Sequence, residues 1–281
     1  MESQKIIELF TESALRKRVK WNNLIARQQC RYISKKCVKI RKSEPSVSIG
    51  TCTVAYGKNK DNIIICPHRL IENNQIFFDC IHLLTQHEPG NELHIISEIS
   101  VPGGSVDYVL TSAKNGKIKD FVAIELQTLD TTGSVWGYRQ SFLELQGIKQ
   151  PTFDENATFG MNWKMTAKTI LVQMHHKITT FENLNKHLVL VLQDCLMNYM
   201  KKEFSFEHIS TTPKIGDSFH FHSYQLLPNE DKYHLSLFER SSTDANGIAL
   251  CLGLKAEANV DLEEILKMLE RKISERTLLK M

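Results

Sequence analysis

The sequence predicts one continuous α/β body, and three observations carry that prediction. "KHLVLVLQD", residues 186–194, is an unbroken apolar run of strand length, as expected of a strand buried on both faces. Helical patterns over residues 133–147 and 165–184 alternate with strand-like runs. No internal repeat and no low-complexity linker divides the chain.

The composition supports this class. The chain has 281 residues, 42% hydrophobic and 24% charged, within the range of a soluble globular protein of one large or two modest domains. No apolar run reaches the length of a membrane span. The start, "MESQKIIELF", lacks the basic opening and apolar core of a signal peptide. The cytoplasm is the expected location, and seven cysteines in a reducing compartment are expected as thiols.

Residues 3–36 read as helical, with Ile6, Leu9, Phe10, Leu15, Val19, Leu24, Ile25 and Ile33 as core positions. Overlapping them, residues 16–42 hold 11 Lys or Arg and no Asp or Glu, which leaves 24 basic against 32 acidic residues elsewhere. The plain reading is a solvated basic face. The functional reading is contact with a polyanion, most often a nucleic-acid backbone. Arg31, Lys35, Lys36 and Lys39 are the candidate DNA-binding residues.

From 37 to 80, short apolar runs ("SVSIGTCTVAYG", "NIIICP", "IFF") alternate with turn residues and predict short, irregular strands. "LHIISEISV", "SVDYVLTS" and "DFVAIELQ" read as three strands, the last two joined by the hairpin signal Asn115-Gly116. "VPGGS" is a turn ahead of the second and not a phosphate loop, because no Gly-Lys-Ser/Thr follows. "TFDENATFG" reads as a loop, "CLMNYMKKEF" as a helix, and "SFHFHSYQLL" and "YHLSLFER" as polar strands. Asp261 and Glu264 form a capping-box pattern that opens an amphipathic helix on Leu262, Ile265, Leu266, Leu269 and Ile273.

One strand carries chemistry. "FVAIELQTLDTTG", residues 121–133, begins as a buried strand and then places Glu125 and Gln127 two positions apart, hence on one face. A carboxylate in such a run is costly unless a metal or a partner meets it. Asp107 lies one strand back. A two-residue loop at Asn115-Gly116 pairs Asp107 with Ile124, whereas a three-residue loop or a bulge pairs it with Glu125. Only the second register converges the two carboxylates into a site for a hard cation such as Mg²⁺. The alternative is a solvent-facing acidic strand at a sheet edge.

These residues resemble the PD-(D/E)XK nuclease pattern, with Gln127 where Lys usually stands. The wider text, "GGSVDYVLTS", "FVAIELQTLDTTG", "NWKMTAKTILVQMHHKI" and "KHLVLVLQDCLMNYMKKEF", is similar to the NotI-type family of restriction endonucleases from about residue 30 onward. The resemblance implies a mixed central sheet flanked by helices, and Mg²⁺-dependent hydrolysis of DNA phosphodiesters. It implies Asp107 and Glu125 as Mg²⁺ ligands, with Gln127 orienting the attacking water or contacting the phosphate. Glu98 is the first candidate for a further acidic ligand and Glu92 the second.

Cys37, Cys52, Cys66 and Cys80 recur at intervals of 15, 14 and 14. With no Cys-x-x-Cys pair, spacing alone reads them as buried thiols. The turn-rich region around them, however, needs a staple. The NotI-type resemblance implies a four-cysteine module holding structural iron (or zinc) ahead of the nuclease core, with "CPHRL" around Cys66 as part of it. Cys30, Cys195 and Cys251 are then ordinary thiols.

The expected organisation is a basic helical region over 1–36, the four-cysteine module over 37–88 and the nuclease core over 89–281. The expected function is that of a type II restriction endonuclease, a homodimer acting on double-stranded DNA beside a cognate methyltransferase. The alternatives are a catalytically silent DNA-binding protein on the same fold and a monomeric repair nuclease.

Overall fold

The computed structural model describes residues 5–154, 158–254, 267, 270 and 271. The predicted helix at 261–273 lies outside the described residues, apart from three isolated positions. No described helix is long and apolar enough to cross a membrane.

The molecule is a mixed α/β structure built on a six-stranded sheet. Its strands are β4 (Glu92–Val101), β5 (Gly104–Lys114), β6 (Lys117–Gln127), β7 (His187–Gln193), β8 (Phe219–Asn229) and β9 (Lys232–Thr243). Their spatial order is β9-β8-β7-β6-β5-β4. The pairs β4/β5, β5/β6 and β8/β9 are antiparallel, while β6/β7 and β7/β8 are parallel. Parallel neighbours need crossover connections. Helices α2 (Trp136–Leu145) and α3 (Trp163–Asn183) make the first, and α4 (Asp194–Glu203) the second. The short helix α5 (Ala245–Cys251) follows the last strand.

Strand β7 is buried at every position, as its unbroken apolar run requires. Strand β6 alternates between two cores. Ala123 belongs to one core with Ile170, Leu171, Met174, Ile178 and Phe181 of α3, whereas Val122, Ile124 and Leu126 join the other. The second core is closed by Ile64, at the end of a short strand, and by the helical turns that follow between Pro67 and Leu83. Strand β6 is therefore central, not the solvent-facing edge of the alternative reading.

The N-terminal region departs from the helical expectation. Ile6–Leu9 is a strand, β1, which pairs antiparallel with β2 (Thr51–Tyr56), itself paired with β3 (Asp61–Ile64). Between residues 3 and 36 only Trp21–Arg27, α1, is helical among the described residues. Left-handed backbone at Phe10, Thr11, Arg18, Gln28 and Ser34 breaks any continuous helix there. The scattered apolar residues, Ile6, Leu9, Phe10 and Trp21 among them, feed the same core as the central sheet.

Candidate active site

Asn115 and Gly116 both take left-handed backbone, φ 53° and 72°, and Lys114 pairs with Lys117, so the hairpin turn has two residues. Alone, that turn sets the register that separates the carboxylates. The pairing slips once further along: Ala113 faces Ile118, but Ser112 faces Asp120, leaving Lys119 as the extra residue of a β-bulge. Beyond it, Tyr108 faces Ile124, and one more step sets Asp107 opposite Glu125. The bulge, not the turn, selects the converging register.

Asp107 ends the ladder by accepting a hydrogen bond on Oδ2 from the Leu126 backbone N–H, 2.8 Å. Its carboxylate also abuts that of Glu125. Burial first, and then Asp107, push the Glu125 carboxyl up to about 7. The upward shift is what burial and a neighbouring like charge do to a carboxylate. The donors are hard oxygens, and two carboxylates suffice for Mg²⁺, which takes water and substrate phosphate for the rest. The residues present therefore fit that ion.

Lys177, which sequence reasoning passed over, also reaches this site. It projects from α3, is 7% exposed, donates to Glu125 Oε1, and donates to the Ser105 carbonyl at 2.5 Å. Lys177 opposes the upward shift of Glu125 without cancelling it. The signal for it was a lysine inside the apolar stripe Ile170, Met174, Ile178, Phe181 of an amphipathic helix. Gln127 lies on the Glu125 face of the strand and is half-buried; its amide donates to the Thr128 carbonyl at 2.6 Å.

The other acidic candidates do not join. The β4/β5 register brackets Glu98 opposite Asp107, but Glu98 has left-handed backbone, φ 56°, and is exposed. Glu92 lies far along the strand opposite Ala113 and pairs with His94, 3.4 Å. Among the described residues, no three His, Cys, Asp or Glu side chains stand ready to hold a metal ion.

The cysteine set differs from expectation in one member. Cys37, Cys52 and Cys66 line a small cavity of about 20 Å³, and the fourth thiol is Cys30, not Cys80. A short hairpin pairs Gln29-Cys30 with Lys35-Lys36 and folds Cys30 back beside Cys37. Cys80 belongs to the opposite core, where it is fully buried and 3.7 Å from His222 Nδ1. Within the cavity, Cys52 Sγ donates to the Gly50 carbonyl, 3.5 Å. Neighbouring Cys52 and then Lys39 hold Cys66 below its ordinary range, against burial. The four thiols share the lining of this cavity without forming a ready-made metal cluster. His68 lines the same cavity, and there burial lowers its pKa while Asp107 raises it.

The basic residues are unequally available. Arg31 pairs with buried Glu12, and Lys39 donates to the Ile65 carbonyl at 3.1 Å. Lys36 is exposed and donates to the Ser46 carbonyl at 2.8 Å, and Lys35 is exposed.

A family model described as restriction endonuclease NotI matches residues 27–217. That span takes in Asp107, Glu125, Gln127, Lys177 and the four cavity thiols. No curated protein matches the chain.

Proposed function

Because the chain belongs to the NotI family of restriction endonucleases, we propose that it is a Mg²⁺-dependent type II enzyme of the PD-(D/E)XK fold that cuts double-stranded DNA at Asp107 and Glu125. The observation that carries this reading is the bulge-set register that brings these two carboxylates together at the end of a buried strand.

In this reading Asp107 and Glu125 hold the cation. Bound Mg²⁺ supplies Lewis acidity, lowering the pKa of the attacking water and screening the phosphate charge. The Leu126 N–H fixes one Asp107 oxygen, which orients the carboxylate before DNA arrives. The Gln127 amide turns from Thr128 toward the water or the scissile phosphate as a neutral donor. The site sits beside the carboxyl ends of the parallel strands β6 and β7, where open sheets leave a crevice for ligands. A homodimer matches a palindromic site by its own two-fold axis. Self-protection then calls for a cognate methyltransferase in the same cytoplasm.

The reading includes a structural iron or zinc held by Cys30, Cys37, Cys52 and Cys66, with the exposed Lys35 and Lys36 of the adjoining hairpin set against DNA phosphates. Purified protein should carry about one such metal per chain. Cys30→Ser should lose it and Cys80→Ser should keep it, by elemental analysis; the reverse pattern refutes the assignment.

The decisive experiment is digestion of plasmid and phage DNA with Mg²⁺. Discrete fragments are expected from the wild type. Asp107→Ala and Glu125→Ala should lose cleavage by about 10³-fold or more while keeping DNA binding in Ca²⁺. Near-wild-type cutting by either variant overturns the site.

A further inference from the structure

Asp107, Glu125 and Gln127 comprise two anions and a neutral amide, yet the substrate is a phosphodiester anion. A cation is nevertheless built into the site from 52 residues away in sequence. Lys177 enters from α3, is buried, and donates to Glu125 Oε1 and the Ser105 carbonyl. Lysine is almost never this buried unless paired, and a buried ion pair is a poor stabilising device compared with well-packed apolar side chains. A leucine would continue the apolar stripe of α3 at lower desolvation cost.

The turn between β4 and β5 is also shaped for this side chain. Gly103 has φ +90°, and a Cβ there would lie 2.5 Å from the His176 carbonyl oxygen; a Cβ on Gly104 would lie 3.1 Å from Lys177 Cε. The glycine pair lets the turn close onto α3 around the lysine, and Thr180 Oγ1 tethers the same turn by donating to the Pro102 carbonyl, 3.2 Å. Three elements thus hold one ammonium beside the carboxylate pair.

We propose that Lys177 is a catalytic residue that supplies, from helix α3, the positive charge that Gln127 cannot, contacting a non-bridging oxygen of the scissile phosphate. This rests on the endonuclease reading. Water adds to phosphorus, the bond to the leaving sugar oxygen breaks, and that oxygen ends protonated. The water's remaining proton is shared between the new phosphate and solvent. Lys177 keeps its own protons and stabilises the charge that develops on phosphate. Its bond to Glu125 keeps the ammonium in place until that carboxylate turns to the cation.

The test moves the charge. Lys177→Met should lose about 10²–10³-fold in single-turnover plasmid cleavage, the usual effect of deleting one oxyanion donor. It should still bind the same DNA in Ca²⁺. Adding Gln127→Lys to Lys177→Met should recover at least about tenfold of the loss, since the ammonium returns at the neighbouring position. A purely structural lysine would show a lower urea midpoint and no recovery. Should Lys177→Met not fold, the exchange Lys177→Gln with Gln127→Lys is compared with Lys177→Gln alone. Metal binding gives a readout apart from activity: without DNA, Lys177→Met should bind Mn²⁺ more tightly, because no ammonium competes for Glu125. Cleavage by Lys177→Met within about threefold of wild type, far short of the loss expected for a missing donor, overturns the proposal, as does a folded double variant no better than the single. A wild type that cuts no DNA, or a Glu125→Ala variant that still cuts, fails the endonuclease reading itself and takes this proposal with it.

Discussion

Lowering the pH from about 7.5 to about 5 should destabilise the protein through His220, by the linkage of proton binding to folding. This imidazole is 1% exposed on β8, and its Nε2 lies 3.0 Å from the Asp217 carbonyl and 3.2 Å from His187 Nδ1. Its Nδ1 is buried with no partner among the described residues, so a second proton would have no acceptor. Burial first, then neighbouring His187, lower its pKa to about 3. Arg240 and His82 act in the same direction, against the Asp217 carbonyl. The folded pKa lies below the unfolded value of about 6.5, so the unfolded chain binds more protons below that pH. The stability present in full above the unfolded pKa is therefore lost as pH falls toward the folded one. At about pH 5, linkage over about 1.5 pH units gives a loss of about 2 kcal/mol from this group. Against a total of roughly 5–15 kcal/mol that is a large fraction. His222, buried beside Cys80 with Nε2 unpartnered among the described residues, adds in the same direction. Urea unfolding followed by tryptophan fluorescence at several pH values between about 7.5 and about 5 measures the slope. His220→Gln should flatten the pH dependence, whatever it does to stability at neutral pH. Parallel curves, within about 0.5 kcal/mol, would refute the reasoning; that margin separates real effects from the scatter of typical surface substitutions.

Two further outcomes test other parts of the structure. Arg69 is 0% exposed, pairs with Glu8 at 2.8 Å and with Glu72 at 2.9 Å, and donates to the Tyr233 carbonyl at 3.0 Å, so only the double change Glu8→Ala with Glu72→Ala should leave an uncompensated buried charge and cost about 3–5 kcal/mol in urea unfolding, while Glu8→Ala alone should cost less. Neutralising exposed Lys35 and Lys36 together should reduce the slope of log affinity against log salt by up to about two, equally on cognate and scrambled duplexes, while neutralising Arg31, already paired with Glu12, should change it little.

Much of this architecture was legible in the sequence because the pattern there is strong and local. The all-apolar run of β7, the long helix near 165–184 and the Asn-Gly turn each carry their own signal. The carboxylate pair was legible only as one of two registers. The choice rests on a bulge at Lys119, an exposed position whose neighbours do not announce it. The regular spacing of Cys37, Cys52, Cys66 and Cys80 was misleading, since chain intervals say nothing about which hairpin folds back, and it is the one at 29–36 that delivers Cys30. The N-terminal helix reading failed because the apolar residues there serve a strand and irregular turns packed on the main core. Lys177 meets Glu125 only through tertiary packing, which no local window contains.

The extra residue in β6 makes the chemistry of this protein a matter of parity. Across a two-residue turn, a regular ladder opposes residues with an even number between them, and the number between Asp107 and Glu125 is odd. Lys119 is the odd one, set aside outside the pairing. Deleting Lys119 would therefore leave a regular hairpin with the same two carboxylates opposed, and cutting should survive it. Past the bulge, β6 has no such slack, because β7 holds it in register from Val122 to Gln127. Side chains alternate there, so losing Ala123 would turn Glu125 into the aliphatic core behind the sheet and point Leu126 at α3. Of two single-residue deletions in one strand, four positions apart, the one in the exposed arm should pass almost unnoticed and the other should silence the enzyme completely.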